Sequence, residues 1–234
     1  MNRHRMLALV AALSACSSLT EIGGGVVALE VQLPVPAFIE PNDTVQIRAR
    51  ALNVQGDSVA ATITWLTPDT TLVIDPTTGE VSTTLTSGSG KVQARVGSLR
   101  SDISGSNGTL TIRPSSDTLR LTGSDTVTVA TGDTVSGPLL AAVESNTPAG
   151  GVANTTILFS VVDTASALGN VFFAGNGLSL RATTGSTGAP SIAVTLRRSS
   201  SATLPASFLI EVSATRPSGA VVAGSGQRLT VLFQ

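Results

Sequence analysis

Apolar and polar positions alternate with a period of two along much of this chain. Between Thr44 and Ala51, Val45, Ile47, Ala49 and Ala51 fall on one side, and Thr44, Gln46, Arg48 and Arg50 on the other. A strand with one buried face has this pattern. Val92, Ala94 and Val96 alternate in the same way with Lys91, Gln93 and Arg95. Further strands are predicted at Val26–Leu33, Ala60–Leu66, Leu72–Ile74, Val81–Leu85, Leu99–Ile103 and Thr109–Arg113. Pro34 and Pro36 suit a sheet edge, because proline has no N–H to give to a ladder. Turn signals separate these runs at Asn53–Asp57, Pro76–Gly79, Gly88–Gly90 and Asn107–Gly108. About seven short strands with such spacing predict a two-layer antiparallel sandwich.

The pattern restarts after Pro114-Ser115-Ser116. Leu119 and Leu121, then Val127 and Val129, open the second set. Pro138–Val143 and Thr156–Val162 are strongly apolar strands flanking a loop at Asn146–Gly151. Gly175-Asn176-Gly177 predicts a hairpin between Asn170–Ala174 and Leu178–Ala182. Alternation resumes at Ile192–Leu196, Phe208–Val212 and Leu229–Phe233. Five of the six phenylalanines lie in this half, so its core should be the bulkier. Asp-Thr-Val recurs at 43–45, 125–127 and 133–135 and reads as a turn leading into a strand.

The beginning of the chain differs. Arg3, His4 and Arg5 precede the eight apolar residues Met6–Leu13. A bilayer span needs about 20 apolar residues, so residues 1–15 read as a signal peptide. Leu13-Ser14-Ala15-Cys16 resembles the lipobox of bacterial lipoproteins. The resemblance implies a diacylglyceryl group on the Cys16 sulfur, cleavage before Cys16 and acylation of the new amine. Ser17 and Ser18 then imply passage to the outer membrane. An ordinary signal peptide with an incidental cysteine is the alternative. Residues 16–25 read as a flexible tether; its nine residues from Ser17 to Gly25 reach roughly 17 Å. The glycines at its end lack the strand, helix and Lys-Ser/Thr pair of a phosphate loop.

Two further resemblances concern the sandwiches. Asp43-Thr44-Val45, Ile63-Thr64-Trp65, Val73-Ile74-Asp75, Thr78-Gly79-Glu80-Val81 and Gly90-Lys91-Val92-Gln93-Ala94 together resemble the group 2 bacterial immunoglobulin-like domain. Gly137–Val143, Gly151-Val152 and Ile157–Val161 resemble the invasin- and intimin-type, or group 1, domain; Glu144-Ser145-Asn146 stands where that family often has Asp and then Gly-Asn. The expected fold class is therefore all-β, with two tandem immunoglobulin-like Greek-key β-sandwiches at 26–113 and 117–234. A linker at 114–116 joins them. Such domains serve as spacers or adhesive modules on cell surfaces.

Charge and composition narrow the chemistry. Taking Arg3 and Arg5 from the 14 basic residues leaves 12 against 15 acidic, a balance of −3. That gives no footprint for nucleic acid. After cleavage no histidine remains, and the single cysteine, Cys16, has no partner. Ser-His-Asp, Cys-His and histidine-based metal sites are then impossible. No cofactor and no catalytic residue is expected, and Lys91 lacks a serine-lysine motif. Trp65, the only tryptophan, reads as core against the rival of a sugar-stacking platform. Asp57, Asp69 and Asp75 read as turn caps against the rival of calcium ligands. Asn42, Asn107 and Asn154 match a glycosylation pattern by chance.

The expected function is a non-enzymatic envelope protein, held on the membrane through lipid on Cys16, with a protein or cell-surface partner. Its sandwiches would form a stalk or an adhesion module. An accessory subunit of an envelope filament or transport complex is the alternative, and a glycan-binding or glycan-cleaving protein ranks last.

Overall fold

The computed structural model describes residues 25–163, 167, 169–185, 191–200, 202 and 206–234. Cys16, the leader and most of the tether lie outside the described residues. The described chain is almost wholly strand, turn and coil. Two buried apolar clusters form, one from Val26 to Ile112 and the other from Leu119 to Phe233.

In the first sandwich, β1 (Ala28–Gln32) pairs antiparallel with β4 (Arg48–Leu52), which also pairs with β5 (Ser58–Val59). β3 (Thr44–Gln46) pairs with β8 (Glu80–Ser82), and β8 with β7 (Val73–Ile74). β3 and β4 are one strand interrupted at Ile47, whose N–H donates to Gly79 O at 3.1 Å. Burial nevertheless alternates across the break, with Val45, Ile47 and Ala51 inside. The opposite layer holds β6 (Thr64–Leu66) beside β10 (Gln93–Val96), and β10 beside β11 (Leu99–Arg100). β9 (Gly88–Lys91) pairs with β12 (Thr109–Ile112). β2 (Phe38–Ile39) runs parallel to β12 on its other side. The chain thus leaves one sheet after β1 and joins the other at β2. Pro34 and Pro36 stand at that crossing, where a missing N–H breaks no ladder.

The second sandwich repeats this plan. β13 (Thr118–Leu121) pairs antiparallel with β15 (Leu139–Asn146). β14 (Thr126–Val129) then crosses to run parallel to the last strand, which spans Gln227–Phe233. β16 (Ala149–Gly151) folds back on β15. β17 (Thr156–Val161), β18 (Val171–Phe172), β19 (Ser179–Thr183), β20 (Ser191–Val194), β21 (Arg197–Arg198), β22 (Ala206–Ala214) and β23 (Gln227–Phe233) follow in chain order. The larger sheet runs β14-β23-β22-β17-β19, and β20 joins β15 in the other layer. Phe159, Phe173 and Phe233 are fully buried at its centre, and Phe208 meets Phe233 edge to face at 6.2 Å. Each such ring contributes about 1.5–3 kcal/mol on burial.

Three local expectations need correction. Gly175–Gly177 does turn tightly, with Phe173 N–H donating to Gly177 O at 2.8 Å. It does not join a hairpin, because β18 pairs with β21 and β19 with β17. A tight turn sets the reversal of direction, whereas the sheet that each arm enters is set by distant partners. Asn146–Gly151 is not all loop: Ser145 and Gly150 face each other in a β15–β16 hairpin. Asp-Thr-Val opens β3 and β14, but at 133–135 it gives only a single bridge from Val135 to Arg197.

Candidate functional site at the joint

The residues that the sequence singles out are mostly structural. Trp65 is buried to 6% exposure, and its backbone N–H donates to Pro76 O at 2.9 Å. A Cβ on Gly79 would stand 2.6 Å from the indole nitrogen, so that glycine makes room for the ring. No sugar can stack on it there. Asp75 Oδ1 accepts the N–H groups of Thr77 (2.8 Å) and Thr78 (2.7 Å). Those backbone bonds hold its pKa below the ordinary value. Asp69 Oδ2 accepts Lys91 N–H at 2.6 Å, and the turn at Asp57 closes on Asn53 Oδ1 at 2.8 Å. Of the three aspartates, Asp75 caps its own turn, Asp69 bonds across to Lys91, and Asp57 joins its turn through its backbone N–H. Lys91 Nζ donates to Ile103 O at 2.7 Å. The Asn107 side chain donates to Asp102 at 2.9 Å, and Asn42 and Asn154 take positive φ in turns.

A polar cluster that the sequence reading missed lies where the sandwiches meet. Glu40 follows β2 and is wholly buried. Its Oε1 accepts Arg113 Nη2 at 2.8 Å, Arg113 Nε at 3.1 Å and the Ser116 hydroxyl at 2.6 Å. Its Oε2 accepts Ser116 N–H at 2.8 Å and lies 3.9 Å from Arg216 Nε. Arg113, at the end of β12, reaches across with Nη1 to the carbonyls of Asn154 (2.8 Å) and Ala153 (3.2 Å). Its guanidinium also stands 4.9 Å from the centre of the Phe38 ring. Arg216, just after β22, donates to Ser116 O at 3.2 Å and to Asp117 Oδ1 at 3.3 Å.

This arrangement follows from local physics. Parallel pairing of β2 with β12 places the residues after Ile39 and Ile112 side by side. Two opposite charges at those positions are therefore neighbours, and Arg113 N–H donates to Ile39 O at 3.1 Å. Burial lowers the pKa of Arg113, and the charge and hydrogen bonds of Glu40 oppose that shift. A buried carboxylate is tolerated only when its lone pairs are occupied, and those of Glu40 are. The available sequence signal was Ile39-Glu40-Pro41, a carboxylate set in an apolar stretch, together with an arginine next to Pro114. Neither is informative until the parallel pairing is known.

Beside the cluster lies a cleft of about 260 Å³, walled by Pro34–Pro36 of the first sandwich and by Arg181, Thr215 and Arg216 of the second. Among the described residues no group of three His, Cys, Asp or Glu side chains could hold a metal ion. The geometry holds two bodies together and offers cationic surface; no nucleophile with a base adjoins it.

No protein-family model matches this sequence, and the curated proteins give no match. Among solved structures, the Yersinia pseudotuberculosis adhesin InvE aligns with TM-score 0.37 and 15% identity, over 91% of this chain and 61% of that one. The fibronectin(III)-like modules of Clostridium thermocellum CbhA align with TM-score 0.36 and 13% identity, over 87% and 92%. The D00-D0 domain of intimin aligns with TM-score 0.30 and 16% identity, over 88% and 99%. This chain spans less than two thirds of the InvE chain.

Proposed function

We propose that this chain is a non-enzymatic, lipid-anchored protein of the bacterial cell envelope whose two immunoglobulin-like domains, 26–113 and 117–234, form a short stiff stalk. The observation that carries the stalk is the buried Glu40 cluster. Ser116, the last residue of the short connection, is fully buried and bonded to Glu40 through both its N–H and its hydroxyl. Arg113 and Arg216 tie the same carboxylate to the second sandwich. A spacer needs such a joint, because a freely swivelling one would not hold its tip away from the anchor.

The anchor rests on Leu13-Ser14-Ala15-Cys16 alone. Two or more acyl chains give stable membrane attachment, whereas one gives marginal binding. Cys16→Ser should release the protein from the membrane fraction and abolish palmitate labelling. Unchanged fractionation and labelling would refute the anchor while leaving the stalk intact. Each sandwich should be roughly 35 Å long, so the pair should reach roughly 70 Å. Solution scattering on the delipidated protein should give that maximum dimension; a compact envelope would refute the stalk.

A further inference from the structure

The cleft at the joint is cationic. Three guanidinium groups line it, those of Arg113, Arg181 and Arg216, and no carboxylate does. Two carboxylates stand behind it, the fully buried Glu40 and Asp117. They engage Arg113 and Arg216. The Arg181 side chain is exposed and takes part in no hydrogen bond or ion pair among the described residues. On the same face of the sheet stands Glu211, whose Oε2 is held by Arg228 at 3.1 Å. The cleft therefore keeps an uncompensated positive charge.

Arg181 sits on β19, the last strand of the larger sheet, which pairs with β17 and with no other strand among the described residues. The rim is aliphatic and uncommonly open: Val35, between two prolines, is 98% exposed. No aromatic ring lines the cleft on which a sugar could stack.

We propose that the joint cleft receives an extended acidic segment of a partner protein. Its carboxylate side chains meet Arg181 and Arg216, and its apolar side chains rest on Val35 and the flanking prolines. Because the walls come from both sandwiches, an occupant also braces the joint. The binding site is independent of the lipid anchor.

The test uses the full-length protein in detergent and a labelled nonapeptide that alternates glutamate and valine. Fluorescence anisotropy should show saturable binding that weakens with added salt. Arg181→Glu should weaken it about tenfold or more, while Arg100→Glu, with the same charge change on an exposed strand of the first sandwich, should leave it unchanged. Hydrogen exchange should slow at Arg216–Gly219 when the peptide is bound. Equal binding by the Arg181 variant, no protection of that segment, or no saturable binding would each overturn the proposal. So would an oligogalacturonate that binds more tightly than the peptide, since it would make the site one for acidic glycans.

Discussion

Glu40 shows how much one side chain can decide here. Removing it would leave Arg113 charged, buried and without its counterion. Breaking one half of a buried ion pair costs about 3–5 kcal/mol. Glu40→Ala should lower stability to urea by that amount, whereas Glu40→Leu combined with Arg113→Met should recover most of it. A single and a double variant with equal losses would deny the pairing its role. Trp65 is the only tryptophan and the chain has no tyrosine, so indole fluorescence isolates the unfolding of the first sandwich. Gly79 offers a second check beside that ring. Its φ is +75°, and an added Cβ would press on the indole. Gly79→Ala should cost about 1–3 kcal/mol from overpacking alone, and more from the left-handed backbone. Acid dependence also belongs at this scale. Asp102 is held below its ordinary pKa, first by the Ser104 hydroxyl, then by the Ser104 N–H and the Asn107 amide. A carboxylate with a lowered folded pKa stabilises at neutral pH, and that contribution disappears as pH falls through the lowered value. Asp102→Asn should therefore make Tm less sensitive to pH in the acid range below the usual aspartate value, and a parallel pH profile would contradict this.

At the scale of elements, the loop from Val152 to Thr155 links the fold to the joint. Thr184 lies fully inside, donates its hydroxyl to Val152 O at 2.9 Å and accepts Thr155 N–H at 2.9 Å. These bonds position the Ala153 and Asn154 carbonyls that Arg113 grips. Thr184→Val would orphan a buried N–H, at about 1–3 kcal/mol. The second sandwich should lose that stability, read by circular dichroism, while the indole transition of the first stays in place; a shift of the indole transition alone would refute the assignment. Strands whose signal is local were legible in the sequence. Phe208–Val212 and Leu229–Phe233 bury the residues that their alternation selects, and Thr44–Ala51 buries all of its own but Ala49, which is half-buried. Pairing was not legible, because partners lie far apart in the chain. Gly175–Gly177 reads as a hairpin from its own residues, yet β19 belongs to β17 and β18 to β21. The joint was hidden for the same reason: Glu40 and Arg113 are 73 positions apart and become neighbours only through the β2–β12 pairing.

At the scale of the molecule, both sandwiches share one closure. Each begins with a strand that divides between the layers, and its second piece runs parallel to the last strand of the same sandwich. A tensile load between the two ends of the described chain would draw those two pieces in opposite directions along their common axis. Their hydrogen bonds would then be sheared together instead of being unzipped singly. The first sandwich has two residue pairs in this clasp, Phe38 with Thr111 and Ile39 with Ile112. The second has four, from Thr126 with Thr230 to Val129 with Phe233. Under pulling, the first sandwich should therefore give way first, and the second should stay folded at forces that have already unravelled its neighbour.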